Sequence, residues 1–182
     1  ADAEVAVDLH WNFNPETAER LCRAIAEYDL AWVEDPIPPE NVDAMRELKR
    51  RVDVTLLTGE NRYERHGFRD LIEKQAVDFL APDVPKAGGI AETKKIANMA
   101  ESYYQTLIPH NIGSPVATMA TVQLGATIPN LYAIEYHARE VEWWEDLVVG
   151  EDLIQDGTIE VPDEPGLGIE LDWDVIKEHE KQ

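Results

Sequence analysis

Short apolar runs alternate with amphipathic stretches through most of this chain, and each apolar run stops at an ionisable side chain. The run 5–10 carries Asp8 and His10. The run 30–33 stops at Glu34-Asp35-Pro36, 54–57 at Gly59-Glu60, 77–81 at Pro82-Asp83, 106–108 at Pro109-His110, and 132–134 at Glu135. Helical signals fill the gaps. Asn14-Pro15-Glu16 supplies an N-cap, a first-turn proline and a first-turn acid for a helix to about Tyr28. Val42, Met45 and Leu48 give helical periodicity over 40–51, and 68–75 reads as a third helix. Gly88-Gly89 opens one to about Tyr104, and Ser114-Pro115 caps one through Leu124. Six strands with five intervening helices specify an α/β fold with a parallel sheet, because parallel neighbours need a crossover. A unit of about 25 to 30 residues fits an eight-fold barrel or a doubly wound sheet.

Beyond Glu135 the pattern changes. Trp143-Trp144, an Asp156-Gly157 turn, Pro162 and Pro165-Gly166-Leu167-Gly168 precede an acidic end with no further βα unit. Residues 1–137 therefore read as the strand-and-helix portion, and 138–182 as a tail packing over other elements.

Charge narrows the function classes. Among 182 residues, 37 acids face 16 lysines and arginines, a net charge of −21. Such a polyanion is repelled by phosphate backbones and anionic lipid, so neither nucleic acid nor membrane is expected as a partner. Hydrophobic residues make up 44%, enough for a core, so the acidity does not signal disorder. No apolar run approaches a membrane span, no basic-then-apolar leader opens the sequence, and the single Cys22 has no internal disulfide partner. A cytoplasmic protein is expected. The acids are spread along the whole chain, and concentrated salt screens their mutual repulsion, so a halophilic, salt-loving microbial source is expected over an ordinary acidic one.

The strand-end residues carry the chemistry. Asp8, Glu34, Glu60, Asp83, His110 and Glu135 follow one another at intervals of 26, 26, 23, 27 and 25. Parallel strands bring equivalent positions to one face. Three carboxylates there, Asp8, Glu34 and Glu60, suit a hard divalent cation such as Mg²⁺. Asp83 and His110 can pair as a carboxylate-oriented base. Any one acid at a strand end is more often a helix cap or a solvated loop residue, but six ionisable residues at six consecutive strand ends exceed what capping needs. Lys86 reads as a stem packing over the sheet, His66 and His179 as exposed, and Trp32 as core between strand and helix. Trp143 and Trp144 line a sugar pocket or pack the tail onto the barrel.

The ordered set Val7-Asp8-Leu9-His10, Val33-Glu34-Asp35-Pro36, Gly59-Glu60-Asn61, Pro82-Asp83 with Ala87-Gly88-Gly89-Ile90, Pro109-His110-Asn111 and Ile134-Glu135-Tyr136 resembles the enolase superfamily, in its mandelate racemase subgroup. Its spacing is similar to that of the galactonate- and gluconate-type sugar-acid dehydratases. The resemblance implies a partial TIM-type (β/α)7β barrel made of strands 3 to 8, with the N-terminal capping domain and first two strands absent. Six strands cannot close an eight-stranded barrel, so the chain reads as a piece of a longer polypeptide, its tail packing on the barrel or on the capping domain.

The resemblance further implies one Mg²⁺, with Mn²⁺ as a substitute, on Asp8, Glu34 and Glu60. The substrate would be a small sugar acid in carbohydrate catabolism, and the full-length form a homo-oligomer. The expected reaction is a hydro-lyase β-elimination of water from an aldonate. His110, oriented by Asp83, takes the α-proton, Glu135 hydrogen-bonds the substrate's carboxylate oxygen, and His10 protonates the departing hydroxyl. His137 could also face the site. The rival readings are an acid-sugar racemase or epimerase of the same superfamily, and a non-catalytic metal-binding barrel remnant.

A charge of −21 makes one prediction immediate: the melting temperature should climb steadily from dilute buffer to molar KCl as self-repulsion is screened. A flat melting profile across that range would remove the high-salt reading.

Overall fold

The computed structural model describes residues 3–136 and 141–180. Five short parallel strands lie in sequence order: β1 (Val7–Asp8), β2 (Val33–Glu34), β3 (Leu56–Thr58), β4 (Phe79–Leu80) and β5 (Thr106–Leu107). The sixth apolar run continues this ladder through one parallel bridge, Leu107 to Leu131. Bonds from Tyr132 N–H to Leu107 O (2.9 Å) and Glu135 N–H to Pro109 O (3.1 Å) extend it.

Helices α1 (Pro15–Ile25), α2 (Val42–Arg51), α3 (Glu64–Glu73), α5 (Ile90–Glu101) and α6 (Pro115–Gly125) cross between the strands, and a 3₁₀ turn, Ala26–Tyr28, extends the first. α1, α2 and α6 start within a residue or two of where the sequence says they should, although Ser114 makes no side-chain cap bond, while α3 begins at Glu64, four residues before the expected 68. The side chain of Asn14 accepts the Thr17 N–H and that of Asn41 accepts the Ala44 N–H, so each closes an open helix end. Lys49, Arg50 and Arg51 sit in the last turn of α2, against the negative end of its dipole. One element was not expected: a single helical turn, α4 (Val84–Ala87), capped by Asp83 and stopped by Gly88 and Gly89, both at positive φ.

Alternation along the strands divides the packing in two. Val33, Leu56, Leu80 and Leu107 face the helices and join Cys22, Met45, Phe68, Leu71, Ile72 and Ile96 in the main core. Leu57, Ala81 and Ile108 point the other way, into a smaller cluster with Trp32 and Phe79. Trp32 thus packs on the inner face rather than between strand and helix, because it stands one residue before helix-facing Val33. Its ring meets Phe79 edge-on at 6.5 Å, and Phe79 stacks on Tyr132 at 5.6 Å. These rings come from alternate strands, as side chains that fill one barrel layer do.

The ladder also shows the tilt that a barrel imposes. Asp8 is in register with Glu34, Glu34 with Leu57, and Leu57 with Phe79, which pairs with Thr106. Against that row the site residues climb, three positions past it at Glu60 and four at Asp83 and His110. Strands inclined to a common axis must be staggered in this way for their ends to be level.

The tail holds a 3₁₀ turn (Glu145–Leu147), an antiparallel bridge from Val148 to Leu171, a hairpin about Asp156-Gly157 and helix α7 (Trp173–His179). Both hairpin residues have positive φ, as a tight type I′ turn requires. Between the tail segment 154–161, α6 and the sixth run lies a largely apolar cavity of about 520 Å³. No helix among the described residues is long and apolar enough to cross a membrane.

Gly59 joins fold to site. Strict alternation from inward-facing Leu57 would send Glu60 to the helix side. Gly59, at φ 149°, breaks the alternation and re-aims it. A Cβ there would stand 3.0 Å from the Ala81 backbone and from the Phe68 ring. Gly59→Ala should lower unfolding free energy by about 2 kcal/mol in denaturant titrations. Unchanged stability would show that this backbone conformation is not required.

Candidate active site

The six strand-end residues fall into two groups. Asp8 ends β1 with its side chain half exposed, and its Oδ1 accepts the N–H of His10 at 2.7 Å. His10 was expected on the same strand face. The strand instead ends at Asp8, and His10 and Trp11 follow in left-handed conformation (φ 48° and 46°). Trp11 N–H bonds to Asp35 O at 2.7 Å, so this turn folds over the end of β2. The exposed His10 ring lies on Trp11, at the rim of the site.

The inner group is acidic and crowded. Glu34, Asp35 and Glu60 bring a carboxylate oxygen each within 4.8 Å of one another. The geometry therefore gathers Glu34 and Glu60 with Asp35, while Asp8 is held back by its own turn. Burial, reinforced by the charges of Glu135, Asp35 and Asp8, pushes the Glu34 carboxyl up to about 8. Burial also raises Asp35, to about 6, against the Thr58 hydroxyl that donates to its Oδ1. Its Oδ2 is buried with no hydrogen-bond partner. Acids this close repel one another, and one of them holds a buried oxygen without a partner. An all-oxygen donor set of this kind fits a hard divalent cation.

Beside the acids stands a buried histidine. His110 is 4% exposed, with Nδ1 2.8 Å from Asp83 Oδ2 and Nε2 3.2 Å from Glu60 Oε2. Burial alone would lower its pKa. The Asp83 hydrogen bond and the charges of Glu135 and Glu60 outweigh this and hold it above the ordinary value. Asp83 is shifted the other way: burial pushes it up, but His110 and the Lys86 N–H bring it below the usual carboxylate range. Its Oδ1 accepts that N–H at 2.8 Å as the cap of α4. Lys86, expected as a packing stem, reaches back over the site, with Nζ 3.6 Å from Glu60 Oε1.

Glu135 lies at the open edge of this group, its Oε2 accepting the Asn111 N–H at 3.0 Å and lying 3.9 Å from His110 Nε2. Buried Asn111 is fixed in turn by its side-chain N–H, which donates to Thr118 Oγ1. Asp35, Lys86 and Asn111 are the site residues that strand-end logic missed. A doubled acid before a proline, and a lysine one turn after a capping aspartate, were the available signals. In the tail, Trp143 stacks on His179 at 4.5 Å and Trp144 is half-buried. His137 lies outside the described residues.

Known proteins resemble this chain over nearly its whole length. The chain is 48% identical over 177 residues to a D-xylonate dehydratase of Haloferax volcanii, covering 97% of this chain and 43% of that protein. A D-galactonate dehydratase family member from Streptomyces bingchenggensis is 36% identical, over 91% of this chain and 40% of its own. Among solved structures, a mandelate racemase/muconate lactonizing enzyme-like protein from Rubrobacter xylanophilus superimposes with a TM-score of 0.95 at 44% identity, covering 99% of this chain and 46% of that one. The chain thus spans less than half the length of these relatives. Residues 1–175 match the model of one family throughout, and with its parallel strands carrying the acids and the histidine at their ends, the chain belongs to the enolase C-terminal domain-like family.

Proposed function

We propose that this chain forms the cation-binding and base-bearing part of a sugar-acid dehydratase, which removes water from an aldonate to give a 2-keto-3-deoxy acid. One observation carries the reading: the buried His110, locked on Asp83, turns its second nitrogen toward a buried cluster of carboxylates. A base held this way takes a proton only from a group presented at that nitrogen. The relatives named as dehydratases of sugar acids support the substrate class.

Glu34 and Glu60 would hold the divalent cation, with Asp8 as third ligand after its side chain turns away from His10. Asp35 is nearly wholly buried beneath Thr58, whereas Asp8 is open to the face from which cation and substrate arrive. A bound Mg²⁺ or Mn²⁺ would supply positive charge to the substrate carboxylate as negative charge develops there. His110 removes the proton on C2, and Asp83 keeps Nδ1 protonated so that Nε2 stays the basic position. Glu135 donates to or accepts from the substrate's carboxylate oxygens, and Asn111 holds it in place. His10, at the rim, delivers the proton that leaves with the C3 hydroxyl as water. The enol then tautomerises to the keto acid.

Two predictions follow from the geometry. The carboxyls of Glu34 and Asp35 and the His110 ring all hold their protons more tightly than usual in the folded state. The stability they contribute is full at low pH and is lost as pH rises. For Glu34 the loss runs from about 4.5 to about 8. In chelator the melting temperature should therefore fall across that window, and added Mg²⁺ should restore it near pH 8. Glu34→Gln should flatten the fall and weaken Mg²⁺ binding in calorimetry at least about tenfold. Unchanged Mg²⁺ binding in that variant would remove the cation from this face.

The two histidines should separate in the full-length enzyme. His110→Asn should abolish exchange of the substrate's α-proton with solvent deuterium. His10→Asn should slow dehydration by roughly a hundred- to ten-thousand-fold yet leave that exchange running. Both are followed by NMR, and normal dehydration by His10→Asn would take the acid role from it.

A further inference from the structure

Glu60 is engaged at both of its oxygens. Oε2 lies 3.2 Å from His110 Nε2, and Oε1 lies 3.6 Å from Lys86 Nζ. The contacts close a ring, because the Lys86 backbone N–H bonds to Asp83 Oδ1 and Asp83 Oδ2 bonds to His110. If Glu60 holds the divalent cation, as the proposed function has it and on which this inference rests, the cation competes with both partners for the same two oxygens.

The partners differ in their freedom to give way. His110 is almost fully buried, and withdrawing it would leave the Asp83 carboxylate unpaired. Lys86 is pinned only through its backbone. Its ammonium contact is longer than a hydrogen bond, its side chain is 34% exposed, and its four-carbon stem can carry the charge into water. Glu60, by contrast, is 7% exposed and cannot move to solvent with it. We propose that Lys86 is the internal counter-ion of Glu60 in the metal-free protein, and that an arriving divalent cation displaces its ammonium into solvent.

This assignment has a sign opposite to a supporting role. A lysine that merely props the site favours the metal, whereas one that occupies its ligand competes with it and repels it. Lys86→Met in the full-length enzyme should bind Mg²⁺ and Mn²⁺ about tenfold more tightly in calorimetric titration, the order of effect that one nearby positive charge has on a dication under water-like screening. Lys86→Arg, which keeps the charge, should stay within about threefold of the unmodified enzyme. Should Lys86→Met melt at a lower temperature, Lys86→Gln provides the same charge removal with a polar end.

Equal or weaker cation binding by a neutral variant that melts like the unmodified enzyme overturns the displacement while leaving the cation site standing. Failure of the unmodified enzyme and the neutral variants alike to bind either cation overturns the cation reading and this inference with it.

Discussion

Parallel strands that all point the same way deliver their C-terminal ends to one face, and in this protein those ends carry more negative charge than the face can hold unaided. Glu34, Asp35 and Glu60 share a space of less than 5 Å, with Asp8 and Glu135 close enough to raise Glu34 further. The rest of the site answers that crowding. Glu34 and Asp35 hold their protons more tightly than usual, a lysine folds back over Glu60, and the histidine beside it is held in a state that favours its cation. A divalent ion would replace several weak compensations by one strong one.

Asp83 shows how little separates scaffold from chemistry. One of its oxygens closes the N-terminus of α4, and the other fixes the imidazole of His110. The same short helix presents Lys86 to Glu60. A helix cap and an orienting carboxylate are thus one residue, so the alternatives for an acid at a strand end are not exclusive. The capping bond fixes the backbone at Asp83 and so the direction from which His110 is held.

What could be read in the sequence is what the strand period and the caps determine. The strand order and the meeting of Asp83 with His110 follow from spacing, and the helix starts at Asn14 and Ser114 from a cap residue followed by proline. The details past the last ladder pair do not. His10 leaves the strand because two successive residues take left-handed backbone, and Asp35 enters the acid cluster through its own positive φ of 41°. None of His10, Trp11 and Asp35 is a glycine, and the modest enrichment of histidine and aspartate in left-handed backbone is too weak a signal to announce the turns. Lys86 reaches Glu60 from beyond the neighbouring strand, through the unexpected helical turn α4 that follows β4. Trp32 was misread by one position, and one position is the whole difference between the two faces of a strand.

The stagger of the strands carries a consequence for how such a chain tolerates change in length. Between each ladder residue and its functional side chain, as from Leu57 to Glu60 or from Thr106 to His110, the residue count sets both height and facing, so a single insertion there turns the group away or lifts it out of the ring. Between the end of a helix and the next strand no such count applies, because the strand can re-enter the ladder in its old register. Insertions should therefore be tolerated at the floor of the barrel and disruptive in the few residues just below its mouth.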